Sequence, residues 1–146
     1  MKALFLFAIL VLSISAFAMQ NEVCFRAIVA SDTFGKNISE PMIDDMAHMK
    51  KSLYAIAHRL HLKPDIQILK GSECSVHLIK KSLRTWHGNT NDIVFFYYAG
   101  HGNMDPDHKP WPVMYPVGGS NTRRGLLGAS VVKYFQDHPH RLSIIM

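Results

Sequence analysis

The run Ile93 to Tyr98 (IVFFYY) constrains the fold more than any other segment of the chain. It is β-branched and aromatic, which reads as a strand, and it has no polar alternation. A strand apolar on both sides needs cover on both sides, and a parallel sheet sandwiched by helices provides it. The sequence around it supplies candidates for both partners. Val23 to Ala30 (VCFRAIVA), Asp65 to Lys70 (DIQILK) and Leu142 to Met146 (LSIIM) read as further strands, the last as a buried one. Between the first two lies a helix pattern, with Ser39 as N-cap, Pro41 in the first turn, and Asp44 and Asp45 near the positive end of the dipole. Met42, Met46, Met49, Leu53, Ile56 and Leu60 form one apolar stripe on it, read as core, and Pro64 is expected to stop it. Ser75 is placed to cap a second helix, in which Val76, Ile79, Leu83 and Trp86 keep helical spacing, and Leu126 to Phe135 reads as a third. Asn103 to Arg124, rich in Pro and Gly, reads as loop. Alternating strands and crossover helices predict an α/β fold, an open and mainly parallel sheet flanked by helices. No internal repeat or second domain is visible, so residues 22–146 read as one domain.

The first residues read differently. Lys2 is a short positive start, Ala3 to Ile14 is apolar apart from Ser13, and Ala16-Phe17-Ala18 fits the small-x-small rule of signal peptidase. Residues 1–18 are therefore expected to be a signal peptide cleaved after Ala18, giving a secreted or periplasmic product with no stable membrane anchor. A retained anchor is the alternative, but the apolar stretch is short for a span of about 20 residues. The formal charge of +5 is modest, and the basic pairs Lys50-Lys51, Lys80-Lys81 and Arg123-Arg124 are scattered. A nucleic-acid surface would be clustered and interleaved with aromatics, so no nucleic-acid partner is expected. Two Cys are too few for a disulfide scaffold. Asn37-Ile38-Ser39 is a glycosylation sequon, relevant only in a glycosylating host. His58 and His61 lie one helical turn apart, but no Cys or carboxylate stands at matching spacing, so they read as solvated rather than as metal ligands.

Chemistry gathers where the apolar strand ends. In an open α/β sheet, reactive groups collect at the carboxyl ends of the strands. Ala99-Gly100-His101-Gly102 stands there. The glycines let the backbone turn sharply and approach a substrate closely. His101 suits a general base that reaches a nucleophile from a neighbouring strand, and the Gly102 N–H is free to meet a developing oxyanion.

Asp92 to Gly102 reads DIVFFYYAGHG. This string resembles the His-bearing strand of caspase-like cysteine peptidases, especially the metacaspase and paracaspase branch: an acidic start, an apolar run with paired aromatics, then Ser/Ala-Gly-His-Gly. The elements from Val23 to Trp86 fall in that family's order. The resemblance implies a partial large-subunit-type caspase-like domain, a cysteine endopeptidase acting on polypeptides without a cofactor or metal. His101 would be its catalytic histidine, Gly102 an oxyanion donor, and Asp32, just past the first strand, an acid that binds substrate. The family's nucleophilic Cys, in an Asp-x-Cys setting, follows the next core strand. Here that strand is Arg141–Met146, where the sequence ends, so the resemblance implies a domain truncated before its nucleophile and inactive by itself.

The family's sheet order places Cys74 on the same edge as His101 but about 10 Å away, two strands over. A thiol needs about 3 Å to its base. Cys24 would lie at the opposite edge, some 20 Å from Cys74, against a bridging limit of about 7 Å. Two other readings compete. One is a non-catalytic pseudopeptidase or binding module on the same fold. The other is a metal-dependent hydrolase using His101, Asp105, Asp107 and His108, which matches no compact metal spacing.

Overall fold

The computed structural model describes residues 22–34, 38–86, 88–104, 106–117 and 125–146. Residues 1–18, read from the sequence as a signal peptide, the sequon residue Asn37 and the pairs Gly118-Gly119 and Arg123-Arg124 lie outside the described residues. Four parallel strands form the main sheet: β1 (Cys24–Ser31), β2 (Lys63–Lys70), β3 (Ile93–Ala99) and β7 (Leu142–Ile145), in the order β2-β1-β3-β7. The helices are α1 (Ser39–Arg59), α2 (Val76–Thr85) and α3 (Gly128–Asp137). The fold is thus α/β, a parallel four-stranded sheet flanked by helices. A small antiparallel sheet joins β4 (Gly102–Asn103), β5 (Val113–Met114) and β6 (Leu126–Leu127).

The central strands show why IVFFYY has no polar side. Val94 and Phe96 pack with Ile28, Ala30, Ile79, Leu83, Val131 and Phe135 on the face covered by α2 and α3. Phe95 packs with Phe25, Ala27, Val29, Leu53 and Ala57 on the face covered by α1. Each large side chain buried this way contributes about 1.5–3 kcal/mol of transfer free energy. Two cores therefore share one pair of strands, β1 and β3.

Several boundaries differ from the sequence reading. Ser39 is the first residue of α1, not its cap; Ile38 holds the cap position and no side chain caps the end. The helix ends at Arg59, before Pro64, where His61 takes a left-handed conformation (φ 54°). Pro64 instead sits near the start of β2, the sheet's edge strand, where its missing N–H is tolerated. The apolar stripe of α1 is buried only in part. Leu53 is in the core and Met46 and Met49 pack against it, whereas Ile56 and Leu60 are exposed. Ala57, outside the stripe, is fully buried in the cluster of Phe25, Val29, Leu53 and Phe95. Ser75 does cap α2, its Oγ accepting from the Leu78 N–H at 3.2 Å. Residues 126–127 pair as β6 before α3 begins at Gly128. The strand expected to be buried at 142–146 is the other edge of the sheet, with Leu142 and Met146 exposed.

Candidate functional site

His101 follows β3 at its carboxyl end, as the sequence predicts. Its main chain is pinned from two sides. The His101 carbonyl accepts from the Tyr98 hydroxyl at 2.9 Å and from the Tyr115 N–H at 2.8 Å. Burial pushes the Tyr98 phenol up, so it remains a donor at neutral pH. The side chain of His101 is about one-third exposed, while its Nδ1 is buried and has no hydrogen-bond partner among the described residues.

The flanking glycines have another cause than the sharp turn expected. Neither has a positive φ. A Cβ on Gly100 would stand 2.5 Å from the Tyr98 hydroxyl oxygen and 2.9 Å from the Cβ of Asp32. A Cβ on Gly102 would stand 2.9 Å from the Val113 carbonyl oxygen. Both positions are small because other chain segments press on them. The bond from Tyr115 N–H to the His101 carbonyl makes Gly102 and Met114 a non-hydrogen-bonded pair of the antiparallel ladder. The Gly102 N–H consequently points away from β5, and Gly102 itself is exposed.

Asp32 arrives beside His101 through the strand register. Ser31 pairs with Ala99, and the Asp32 N–H donates to the Ala99 carbonyl at 2.8 Å, extending β1 alongside the end of β3. The carboxylate then closes a local turn, with Oδ1 accepting from the Phe34 N–H at 3.2 Å. Its other oxygen, Oδ2, lies 3.6 Å from His101 Nδ1. The Asp32 side chain is fully buried, turned towards the imidazole rather than towards solvent.

The cysteines stand apart. Cys24 begins β1, opposite Lys63, at the amino edge. Cys74 follows β2 and the 3-10 turn Gly71–Glu73. Both are free thiols. Cys74 is fully buried, and burial together with the negative charge of Asp32 pushes its thiol up to about 12. A nucleophilic thiol needs the opposite environment. An open cleft of about 450 Å³ lies near the carboxyl ends of β1 and β2, with a mixed lining of Phe34, Ile43 and Met46 beside Thr33, Lys70 and Glu73.

Of the residues grouped by the metal-dependent reading, Asp105 and the side chain of His108 lie outside the described residues, and Asp107 is exposed. Among the described residues no group of three or more His, Cys, Asp or Glu is arranged to hold a metal ion. No described helix is long and apolar enough to cross a membrane.

The sequence reading missed a second polar centre, at the amino edge. The Asp92 carboxylate, fully buried, accepts from the Cys24 N–H at 2.8 Å, the Asn89 N–H at 2.7 Å and Arg26 Nε at 2.7 Å. Arg26 also pairs with Asp65. Burial pushes the Asp92 carboxyl up, but these donors and the guanidinium charge outweigh it and hold the group below its ordinary 3.8. The signals were a lone Arg in an apolar strand and an Asp opening another, which matter only once β1 and β3 are adjacent. This centre ties strand ends together at the edge away from His101.

No protein-family model matches the chain, and neither a curated protein nor a solved structure matches it.

Proposed function

We propose that the chain carries the histidine half of a caspase-like cysteine endopeptidase site, with His101 as general base and the Gly102 N–H as an oxyanion donor. The observation that carries this reading is the position of His101 at the carboxyl edge of β3, next to the carboxyl edge of β7 in a parallel β2-β1-β3-β7 sheet. In this chemistry the imidazole takes the proton of a thiol, and the thiolate attacks the scissile carbonyl carbon. Backbone N–H groups meet the charge that forms on the carbonyl oxygen. Hydrogen bonds to Phe96 and Tyr98 carry the β7 line through Met146. In the register of β3 with β7, the fourth further residue on that line comes level with His101. That is where this reading places the nucleophile.

Neither Cys24, at the far edge, nor Cys74, buried and protonated at neutral pH, supplies that thiol. The substrate is a polypeptide, and the predicted signal peptide assigns the activity to a secreted or periplasmic setting. The test is hydrolysis of Arg-, Lys- and Asp-containing peptides by two proteins. One is the 146-residue chain; the other is the same chain extended past Met146 by the Asp-x-Cys segment of a peptidase it resembles. The extended protein is expected to cleave in an iodoacetamide-sensitive manner and to lose cleavage in His101→Ala, and the shorter one to be inactive. Cleavage by the shorter chain that survives Cys74→Ser, or by the extended chain after His101→Ala, overturns the reading.

The inaccessibility of Cys74 favours a second reading, a non-catalytic binding module on the same fold. A folded, extended protein that retains peptide without cutting it would decide for that alternative.

A further inference from the structure

We propose that Asp32 is the positioning residue of His101: its buried carboxylate holds the neutral imidazole with the proton on Nδ1 and leaves the Nε2 lone pair as the basic site. The use of that base rests on the peptidase reading; the orientation itself does not.

The main chain on both sides is fixed. The Asp32 N–H is bonded to the Ala99 carbonyl, and the His101 carbonyl is held by Tyr98 and Tyr115. The two side chains therefore meet across a set distance. Because Oδ1 of Asp32 is engaged by the Phe34 N–H, Oδ2 is the oxygen turned to the ring, 3.6 Å from Nδ1. Neither the carboxylate nor Nδ1 reaches solvent.

A neutral imidazole has one N–H and one lone pair, and the partner of one nitrogen decides which is which. A lone pair on Nδ1 would face a carboxylate oxygen in a buried site, two acceptors with no proton between them. An N–H there faces its natural acceptor, and an approach of roughly 0.7 Å brings the pair to ordinary hydrogen-bond length. Among the described residues, burial keeps Cys74 and Tyr98, two titratable groups near Asp32, protonated, so neither adds a second negative charge beside the ring. With the proton on Nδ1, Nε2 is the nitrogen left to deprotonate a partner arriving from β7. This gives Asp32 a different task from the substrate-binding one that the family resemblance implies.

Long-range proton–nitrogen NMR of the chain labelled with ¹⁵N-histidine tests the assignment at about pH 8.5, where an ordinary imidazole is neutral. The His101 signals are those lost in His101→Gln. The expected pattern is the Nδ1–H tautomer in the unmodified chain and a shift towards Nε2–H in Asp32→Ala. An Nε2–H pattern in the unmodified chain overturns the proposal, and that spectrum decides even if the variant does not fold. It would leave the peptidase reading intact. Conversely, failure of the extended chain to cleave would leave the tautomer result standing.

Discussion

At the scale of single residues, the polar groups buried at the two sheet edges do different work. Asp92 is enclosed by two backbone N–H donors and the Arg26 guanidinium, so its removal leaves Arg26 Nε and two backbone N–H groups without their acceptor. Asp92→Ala is expected to destabilise the fold by about 3–5 kcal/mol, read as a lower urea midpoint at neutral pH. Because the folded-state carboxyl is held below its unfolded value, its contribution is complete above about pH 4 and is lost as pH falls through the folded value. The gap between wild type and variant should therefore close on acidification; a gap that widens would contradict this. Cys74, by contrast, should escape iodoacetamide at about pH 8 in the native protein and react once urea exposes it, as mass spectrometry of the alkylated peptides would show. Native-state alkylation at Cys74 would revive it as a nucleophile. The placement of His101 was legible from DIVFFYYAGHG, because a glycine-flanked His after a buried strand has few other places to go. Its closeness to Asp32 was not, since that depends on the pairing of Ser31 with Ala99, and register is a property of two strands together.

At the scale of elements, the two serines read as helix caps give a direct contrast. Ser75 has extended backbone and its hydroxyl accepts from Leu78; Ser39 lies inside the first turn of α1 and caps nothing. Ser75→Ala is expected to cost about 1 kcal/mol, and Ser39→Ala close to nothing, in thermal or urea unfolding. Equal losses would mean that the cap assignment is wrong. The local chemistry of the two sites is alike in sequence, which explains the misreading. Pro41 tolerates any position in the first turn, where N–H groups have no helical partner, so it does not fix where α1 begins. Strand identity was more legible than helix edges, since apolar β-branched runs admit fewer alternatives. The short pairs β4, β5 and β6 left no periodic signal; strands of this length are stabilised by their neighbours, as when Gly128 N–H donates to the Pro112 carbonyl beside β5.

At the scale of the whole molecule, β1 and β3 belong to both cores, so the two faces of the sheet cannot lose their order independently. Phe95 and Phe96 are neighbours in sequence yet serve opposite faces. Loosening α1 removes cover from Phe25, Val29 and Phe95, and the same strands then hold Ile28, Val94 and Phe96 less firmly. Trp86 packs on the α2 and α3 side, remote from α1, and so reports on the face that is not perturbed. Leu53, fully buried under α1, is the side chain to remove. Leu53→Ala is expected to cost about 2–5 kcal/mol, and the loss should lower the unfolding midpoint of Trp86 fluorescence as much as that of far-ultraviolet circular dichroism. A Trp111→Phe background isolates the Trp86 signal, because Trp111 is exposed and the chain has two tryptophans. Coincident shifts are what a single cooperative unit produces. If the dichroism transition moved while the Trp86 transition stayed in place, α1 would be a separately melting layer, and the sheet would owe its order to α2 and α3 alone.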